Sequence, residues 1–521
     1  MKSEWLGTPP DLPSDYDAEL AADVLVIGGG LAGICAVRSA AEMGASVILI
    51  ERSGSPAGRS GDVAAFHSRI WERYPSLQKY QTMRRRIVDN LLKDSLYRVR
   101  NDIYERWADE SGDAFDWFIG AVPPEKLFIG SDESNECPED YRFAVISKAF
   151  RLPEHFDVTT EYFPSYPVTA RLVPGIRDFL RENLRVAEET GNLTSALFNT
   201  AAYRLLTADG RISGAVAKDN SGRHIKIAAS KGVVLATGDF LSNSEMVRRY
   251  VPKVWENGFR PDGSGTGRNY YNTRDASGER TNTGDGHRMG MWAGAIMQQD
   301  GCPCIHHGGG AVVGSNPTLM LNKKGERFMN EDVHGAQMEH RLEEQPGMTI
   351  YQFFDGAISS QLQYMPFGHH KVYTFSQKEL DRAVERGDTL KGDTLEELLS
   401  KLDIDAETAK RSIAQYNESA RIGTDRQFGK RADRMFPLDT APFYCNVWEK
   451  GAALCTLSGL TSDSHCHTYD AEYNIIPGLY VAGNVQGNRF AIEYPTTVLG
   501  LSHSMALLYG RIAGQNASDC R

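Results

Sequence analysis

The chain has 521 residues, is 41% hydrophobic and 24% charged, and carries a formal net charge of −11 at pH 7. This length allows two or more domains with large cores, and the composition is ordinary for a soluble globular protein. The negative charge and the absence of a long basic run argue against a nucleic-acid partner, and no apolar run is long enough to span a membrane.

The N-terminal residues 1–20 are acidic and Pro-rich and lack the apolar core of a secretory signal, so we interpret them as an extended lead-in to the first strand. The eight cysteines are few and scattered for this length. Such usage is typical of reduced thiols, and we therefore expect a cytoplasmic location. No C-x-x-C-H or iron–sulfur spacing is present, so any electron relay must come from another molecule.

A glycine-rich turn follows the first apolar strand, at residues 24–27. The sequence GGGLAG that comes next fits G-x-G-x-x-G. Gly28 permits a tight turn, Gly30 lets a pyrophosphate approach the backbone, and Gly33 lets helix and strand pack closely. Helical spacing then begins, so unpaired N–H groups near Leu31 and Ala32 would face the diphosphate. This turn predicts a dinucleotide-binding site.

The second apolar strand, at residues 47–50, ends at Glu51, which is followed by Arg52. A carboxylate at this position can accept both ribose hydroxyls and disfavours a 2′-phosphate. A loop of small residues comes next and can bring backbone and an arginine close to a cofactor, although a flexible surface loop has the same composition. Its four candidate cofactor residues are Arg59, Ser60, Gly61 and Asp62.

Further along the chain, residues 193–229 alternate polar and apolar positions around tight turns, which predicts a β-meander. Two later apolar strands, at residues 232–238 and 476–484, end in glycine turns. A short helix extends to residue 291, and a long helix at residues 497–516 closes the chain. From these segments we assign seven more residues to the cofactor site: Thr237, Gly238, Asp285, Gly483, Asn484, Val498 and Leu499.

Residues 299–437 differ in character, and we interpret them as a second domain inserted into the first. Near its start are two cysteines and two histidines, Cys302, Cys304, His306 and His307. Zinc ligands usually come as two separated pairs, and no convincing second pair is present. We therefore predict no metal site.

These pieces together resemble the flavoprotein family of fumarate reductases, succinate dehydrogenases and 3-ketosteroid Δ1-dehydrogenases. The matching stretches are VIGGGLAG, GRSGD, VVLATGD, NTGDGHRMG, LNKKGERFMNE, FGKRADRMFP and PGLYVAGN. The resemblance implies an α/β fold, with a Rossmann-type FAD-binding domain formed by residues 21–298 and 438–521. It also implies that residues 299–437 form an α+β capping domain that closes over the isoalloxazine and a small-molecule substrate.

Departures from the family pattern are informative about the cofactor. Quinone-linked members carry a histidine in the loop that here has Gly61, and that histidine is bonded to the flavin. The resemblance therefore implies that FAD is held non-covalently. No second complete dinucleotide fingerprint is present. Electrons would come either from NADH that binds transiently or from a separate reductase.

The substrate-binding positions of fumarate reductases are also changed. The family's substrate arginine appears here as Tyr494, its histidine as Cys455, and its proton-donor arginine, four residues after Asp355, as Ser359. These changes would leave the two carboxylates of a dicarboxylate without charge-assisted partners. A tyrosine followed by proline at the Tyr494 position resembles ketosteroid dehydrogenases, in which its hydroxyl polarises a substrate carbonyl. A core tyrosine with a satisfied hydroxyl is the alternative.

Candidates for proton transfer lie in the NEDVH segment. His334 titrates near neutrality and can carry a proton to or from a carbon beside the flavin, and Glu331 could orient it or donate the proton itself. A histidine that only packs in the cap is the alternative for His334. By comparison with the family's cap entrance, His306 or His307 would touch substrate.

We therefore expect a soluble FAD oxidoreductase that transfers hydride between flavin N5 and a carbon of a neutral cyclic ketone or phenol of steroid or flavonoid type. The run RFAIEYPTT resembles gut-bacterial reductases of this family such as tetrahydrodaidzein reductase, so reductive removal of a benzylic hydroxyl is one alternative. A fumarate-like enoate reductase is a second. A non-catalytic flavin electron-transfer protein is a third.

Overall fold

The computed structural model describes residues 4–130, 137–147, 157, 159–161, 166–256, 258, 260, 274–275, 277–299, 301–307, 313–333, 335–365, 375–449 and 452–519. Its strands are β1 (Ala18–Ile27), β2 (Val47–Ile50), β3 (Asp62–Ala64), β4 (Leu127–Gly130), β5 (Phe143–Ser147), β6 (Thr169–Val173), β7 (Leu193–Leu197), β8 (Thr200–Ala208), β9 (Arg211–Asp219), β10 (His224–Leu235), β11 (Cys304–His307), β12 (Leu319–Asn322), β13 (Thr349–Asp355), β14 (Thr389–Gly392), β15 (Phe443–Glu449), β16 (Ala452–Thr456), β17 (His467–Tyr469) and β18 (Ile475–Val481). Its α-helices are α1 (Leu31–Glu42), α2 (Gln78–Gln81), α3 (Arg84–Asp94), α4 (Asn101–Ile119), α5 (Ile176–Glu189), α6 (Ser244–Tyr250), α7 (Pro252–Glu256), α8 (Asp285–Trp292), α9 (Gly335–Glu343), α10 (Ile358–Gln361), α11 (Gln377–Arg386), α12 (Leu395–Ser400), α13 (Ala406–Ile422) and α14 (Leu501–Asp519).

A mixed sheet of eight strands forms the centre of the molecule. Its main path runs β17-β18-β10-β1-β2-β7, and the four inner pairings, from β18 to β7, are parallel. Strands β8 and β9 extend from β10 as an antiparallel meander, which confirms the meander expected there, whereas β7 joins the parallel part. The inner strands are apolar on both faces because helices or other strands cover both sides.

Two helices from opposite ends of the chain pack on this sheet. Helix α14 lies against α1, and the two approach so closely that a Cβ on Gly510 would sit 2.2 Å from the backbone oxygen of Ala32. A Cβ on Gly514 would sit 2.3 Å from the backbone oxygen of Ala36. The last helix therefore returns to the first βαβ unit because small residues allow the contact.

Two smaller sheets flank the centre. One has the order β3-β6-β5-β4 and packs with α4 and α5. The other has the order β12-β13-β15-β14 and forms the core of the inserted region with α12 and α13. Strand β15 follows the domain boundary predicted at residue 437, yet it pairs with both β13 and β14. Strand β1 likewise begins at Ala18, inside the predicted lead-in.

The architecture agrees with the predicted α/β fold and with an inserted α+β region. Within the described ranges, no helix is both long enough and apolar enough to cross a membrane.

Candidate functional site

A single long cavity collects most of the predicted cofactor residues. Its volume, including the part that is open to solvent, is about 1930 Å³, and it begins at the carboxyl ends of β1, β2 and β10, where Ile27, Ile50 and Ala236 line it. It ends beside the first turn of α14, at Ser502 and His503. Parallel sheets place ligands at this edge because the strands end there and the helix N-termini face it.

The three glycines of the turn have different structural roles, as the sequence predicted. Gly28 has φ +112°, a conformation that favours glycine. A Cβ on Gly33 would lie 1.7 Å from the Gly28 backbone oxygen, so this residue serves helix–strand packing and does not line the cavity. Gly30 lines the cavity, and a Cβ there would meet nothing closer than the Ala57 oxygen at 3.7 Å. The space in front of Gly30 is therefore available to a phosphate.

Glu51 is buried at the cavity wall, and its carboxylate is held by the backbone. Its Oε2 accepts a hydrogen bond from the Gly29 N–H at 2.5 Å, and its Oε1 accepts from the Ser53 N–H at 2.6 Å and from the Ser53 hydroxyl at 2.5 Å. Because a carboxylate oxygen can accept two bonds, Oε2 keeps acceptor capacity for a ribose hydroxyl. Arg52 lines the same end and pairs with Asp275 at 3.1 Å and with Asp285 at 3.2 Å.

The loop at residues 59–62 forms another part of the wall. Arg59, Ser60 and Asp62 line the cavity, whereas Gly61 is buried behind them. A Cβ on Gly61 would lie 2.4 Å from the backbone oxygen of Leu172. The packing of this loop against β6 therefore leaves no space for a side chain at position 61.

A buried polar atom without a partner among the described residues lies at the wall of the cavity, against Gly286 of α8. Thr237 and Gly238 follow β10 and both line the cavity, and the buried Thr237 hydroxyl oxygen has no hydrogen-bond partner among the described residues. Buried polar atoms are normally satisfied, so this one is suited to a ligand. Together with the open face of Gly30 and the fixed carboxylate of Glu51, it fits FAD in this cavity.

Tyr494 lines the other end of the cavity and is 6% exposed. Its hydroxyl oxygen accepts a hydrogen bond from the Ser502 N–H at 3.2 Å, at the N-terminal turn of α14. Burial raises the pKa of Tyr494, so the hydroxyl keeps its proton. Within the described chain no acceptor takes that proton, so the O–H can be donated to a ligand. Cys455 lines the same wall, and burial raises the pKa of its thiol to about 12.

His503 is a cavity residue that the sequence patterns missed. Its Nδ1 lies 2.8 Å from the Asp62 backbone oxygen, which can only accept, so Nδ1 carries the proton. Burial lowers the pKa of His503, which keeps the ring neutral and leaves a lone pair on Nε2. Asp239 and Asn282, which also line the cavity, were missed as well. The available signal for His503 was its place in the first turn of a helix directed at the cofactor.

Two residues predicted for catalysis or substrate binding lie away from the cavity. Glu331 is fully buried in the inserted region, where it binds Arg327 at 2.8 Å through both oxygens and lies 3.3 Å from Lys430 Nζ. These charges outweigh the effect of desolvation and lower the pKa of Glu331, so the carboxylate is ionised and tied to the cap. Ser359 is exposed on α10.

The remaining predicted residues are placed as follows. Leu31, Ala32, Gly483, Asn484 and Leu499 line the cavity, whereas Val498 is buried outside it. His334 lies outside the described residues. For His306 and His307 the structure describes only the backbone, which pairs with Ala453 and Ala452 of β16. In the described parts of the chain, no three His, Cys, Asp or Glu side chains converge on one point as metal ligands would.

Comparisons with known proteins agree with this geometry. Residues 23–495 match the family model described as FAD binding domain. The chain is 26% identical to vinyl phenol reductase from Lactiplantibacillus plantarum, over 95% of this chain and 96% of that protein. It is 25% identical to 4-oxocyclohex-2-ene-1-carboxylate 5-dehydrogenase from Sinomonas cyclohexanicum, over 96% of this chain and 94% of that protein.

The fold also matches a solved structure. The crystal structure of 3-ketosteroid-Δ4-(5α)-dehydrogenase from Rhodococcus jostii RHA1 is similar with a TM-score of 0.65 and 20% identity, and the match covers 97% of this chain and 98% of that one. This likeness confirms the fold, including the resemblance to ketosteroid dehydrogenases. The chain therefore belongs to the FAD binding domain family, and it is an FAD-dependent oxidoreductase that acts on carbon–carbon bonds.

Proposed function

We propose that this enzyme transfers a hydride between FAD and a carbon of a neutral cyclic ketone or phenol, and that it reduces an activated C=C bond or catalyses the reverse dehydrogenation. The observation that carries the proposal is Tyr494, whose O–H is free to donate into the FAD cavity while its oxygen is held by the Ser502 N–H. A donor at this position polarises a carbonyl or phenolic oxygen and stabilises the negative charge that develops on it.

FAD in this proposal is bound non-covalently. Glu51 would hold the ribose, the backbone at Gly30 would face the pyrophosphate, and the Thr237 hydroxyl would accept or donate one further hydrogen bond. Gly61 offers no side chain for a flavin bond, and its packing against Leu172 excludes one. The bound cofactor supplies the hydride, and the protein supplies position, a proton and polarisation.

A neutral substrate suits the side chains around Tyr494. Cys455 lines this wall as a neutral thiol because burial raises its pKa to about 12. Ser359, the third changed position, is exposed on the surface of the cap. A dicarboxylate would need charged partners for two anionic groups at these positions, whereas a phenol or ketone needs a single polar contact.

The proton that accompanies the hydride needs a donor. A neutral His503 with its proton on Nδ1 presents an acceptor to the cavity, so it suits a substrate hydroxyl better than it suits proton donation to carbon. We keep His334 as the proposed proton carrier, with His306 or His307 as substrate contacts. For Glu331, the ion pairs with Arg327 and Lys430 support a role in holding the cap.

The relatives favour different members of this substrate class. The vinyl phenol reductase supports a phenol with a conjugated alkene, and the cyclohexene carboxylate dehydrogenase supports a cyclic enone. A phenol also leaves room for reductive loss of a benzylic hydroxyl through a quinone methide, as in a tetrahydrodaidzein reductase. Tyr494 could serve all three substrates because each places an oxygen in conjugation with the reacting carbon.

Anaerobic reoxidation of the reduced holoenzyme tests the proposal. The bound flavin would be bleached with NADH, or with dithionite if NADH fails, which also shows whether NADH is a donor. The substrates to add are 4-vinylphenol, cyclohex-2-enone, a steroid enone, tetrahydrodaidzein and fumarate. We expect reoxidation by at least one of the first four and none by fumarate. Reoxidation by fumarate alone would contradict the proposal, and none by any of the five would favour an electron-transfer protein.

A further inference from the structure

Arg489 is a fully buried cation immediately behind the cavity wall. In the sequence it lies in the segment that connects β18 to α14, and 0% of its surface is exposed. Its Nη2 donates to the side-chain oxygen of Asn484 at 3.1 Å, and its Nε donates to the backbone oxygen of Gln486 at 3.3 Å. The third nitrogen, Nη1, has no hydrogen-bond partner among the described residues. The guanidinium is therefore held in place but incompletely satisfied.

No acidic side chain in the described structure lies within 4.0 Å of this guanidinium. The groups whose electrostatic influence reaches it are neutral at physiological pH: Cys455, Tyr509, Tyr104 and Tyr494. Desolvation lowers the pKa of Arg489 to about 10, so the side chain still carries its charge at neutral pH. An isolated buried charge is costly, and proteins normally pair it with an opposite charge.

The other buried arginines of the described chain are paired. Arg38 binds Glu42 at 2.8 Å, Arg327 binds Glu331 at 2.8 Å, and Arg434 binds the Glu161 carboxylate. Each of these lies in a structural ion pair away from the cavity. Arg489 differs because its two fixed bonds go to an amide oxygen and a backbone oxygen. Its partner must therefore be sought in something that the protein binds.

The nearest place for such a partner is the cavity. Asn484, which accepts from Arg489, lines it, and so do Cys455 and Tyr494. The charges of Arg59 and Asp239 also influence Cys455. These two charges have opposite signs and attract each other. Asp62, whose charge acts on Tyr494, also lines the cavity and lies 3.9 Å from Arg171.

We propose that Arg489 is the buried counter-charge for reduced FAD, and that it raises the reduction potential of the bound cofactor. Uptake of two electrons and one proton by the neutral isoalloxazine leaves one negative charge on the ring, and a fixed cation in a low-dielectric wall stabilises that charge. Oxidised FAD gains nothing comparable because its isoalloxazine is uncharged. The inference depends on FAD binding and not on which substrate is reduced.

The midpoint potential of the bound flavin tests this role without any substrate. Arg489→Gln removes the charge and keeps hydrogen-bonding capacity, whereas Arg489→Lys keeps the charge. We compare the affinity for reduced FAD with the affinity for oxidised FAD. In the Gln variant we expect this ratio to be at least tenfold lower than in the wild type. For a two-electron couple this is a fall of about 30 mV or more. The Lys variant should retain most of the wild-type potential.

Arg38→Gln is the matched control, since Arg38 is a buried arginine of the same domain that is paired with Glu42. Its flavin potential should equal that of the wild type. An unchanged potential in Arg489→Gln, or an equal fall in Arg38→Gln, would overturn the proposal. Both outcomes are independent of the substrate panel, so the two proposals can fail separately.

A second measurement uses the wild-type holoenzyme and therefore does not depend on the folding of a variant. Sulfite donates its sulfur lone pair to oxidised flavin, and the resulting S–N bond leaves a negative charge on the ring. The addition needs no external oxidant or reductant. We expect the wild type to form this adduct. Failure of the wild type to form it at any sulfite concentration would contradict a buried counter-charge.

Discussion

The hydroxyl oxygen of Tyr494 lies 3.2 Å from the backbone nitrogen of Ser502 and accepts its hydrogen bond. Ser502 is in the first turn of α14, where N–H groups have no partner within the helix. The bond fixes the oxygen and polarises the O–H, whose proton is left for a ligand. One helix N-terminus thus converts a buried tyrosine into a directed hydrogen-bond donor.

Replacement of Tyr494 by Phe should therefore remove the donor and keep the ring. We expect FAD to remain bound and the reoxidation rate with the best substrate to fall about 100- to 1000-fold, as for loss of one oxyanion donor. Stopped-flow absorbance of the flavin measures the rate. Tyr351→Phe is the control, because the Tyr351 hydroxyl donates to the Asp403 backbone oxygen in the cap. Equal rates in the two variants would argue against the assigned role of Tyr494.

Gly30→Ala and Gly33→Ala change the same motif but should affect different properties, FAD affinity for Gly30 and apoprotein stability for Gly33. A Cβ on Gly33 would lie 1.7 Å from the Gly28 oxygen, so we expect the apoprotein to lose about 1–3 kcal/mol of unfolding free energy or more. A Cβ on Gly30 meets nothing within 3.6 Å but occupies the space in front of the backbone. The Gly30 variant should keep its apoprotein stability within about 0.5 kcal/mol and bind FAD more weakly.

Urea unfolding of the two apoproteins and FAD titration followed by flavin fluorescence make this comparison. Loss of apoprotein stability in Gly30→Ala as large as in Gly33→Ala would show that both glycines serve packing. In that case the pyrophosphate would have to lie elsewhere along the cavity.

Glu51→Gln should weaken FAD binding without unfolding the sheet. The carboxylate accepts from Gly29 and Ser53, and an amide would bring its NH₂ group against one of these donors. Hydrogen bonds to charged groups contribute about 1.5–3 kcal/mol, so the dissociation constant should rise about 10- to 100-fold. Glu188→Gln, at an exposed position on α5, is the control. Unchanged FAD affinity in Glu51→Gln would remove the ribose assignment.

Because His287 is buried in its neutral form, we expect the free energy of unfolding to decrease as the pH falls from about 6.5 to 4. Burial lowers its pKa to about 4, its Nε2 donates to the Ser458 oxygen at 3.1 Å, and its Nδ1 has no partner in the described structure. Between these pH values the unfolded state binds a proton that the folded state does not, so stability declines with falling pH and levels off below pH 4. The pKa difference corresponds to about 3 kcal/mol.

Urea midpoints across this pH range test the effect. His287→Gln retains a donor for Ser458 and cannot titrate, so its stability should depend less on pH than that of the wild type by about the same 3 kcal/mol. His465→Gln replaces an exposed histidine and should leave the wild-type slope unchanged. Parallel pH profiles for wild type and His287→Gln would contradict the shifted pKa.

Local patterns predicted most of the residues that line the cavity at the ends of the parallel strands. The glycine turn, Glu51, Thr237 and Asn484 each follow an apolar strand, and the end of a buried strand is a place that the sequence marks. The start of the last helix was less well predicted: α14 begins at Leu501, whereas the sequence indicated residue 497. Helix ends depend on caps and packing as well as on periodicity.

The substrate half could not be predicted in the same way. The sequence made Glu331 a candidate for catalysis, yet Arg327 and Lys430 hold it in the cap. His503 belongs to no motif, and the run RFAIEYPTT assigned no role to Arg489. Each side chain is surrounded in part by residues far away in the chain, such as Asp62 for His503 and Tyr104 for Arg489. Their importance depends on burial and on missing partners, which are properties of the folded molecule.

The sequence by itself determined the fold class, the family and the cofactor, because these depend on short-range patterns: apolar strands, glycines at fixed spacing and an acid at a strand end. Only the tertiary structure decided that Gly61 serves packing, that Tyr494 keeps a proton to donate, and that no acidic side chain of the described residues pairs with Arg489. Hydrogen-bond partners and dielectric surroundings come from distant segments, and so the chemistry of the site is fixed only when α14 packs back on α1.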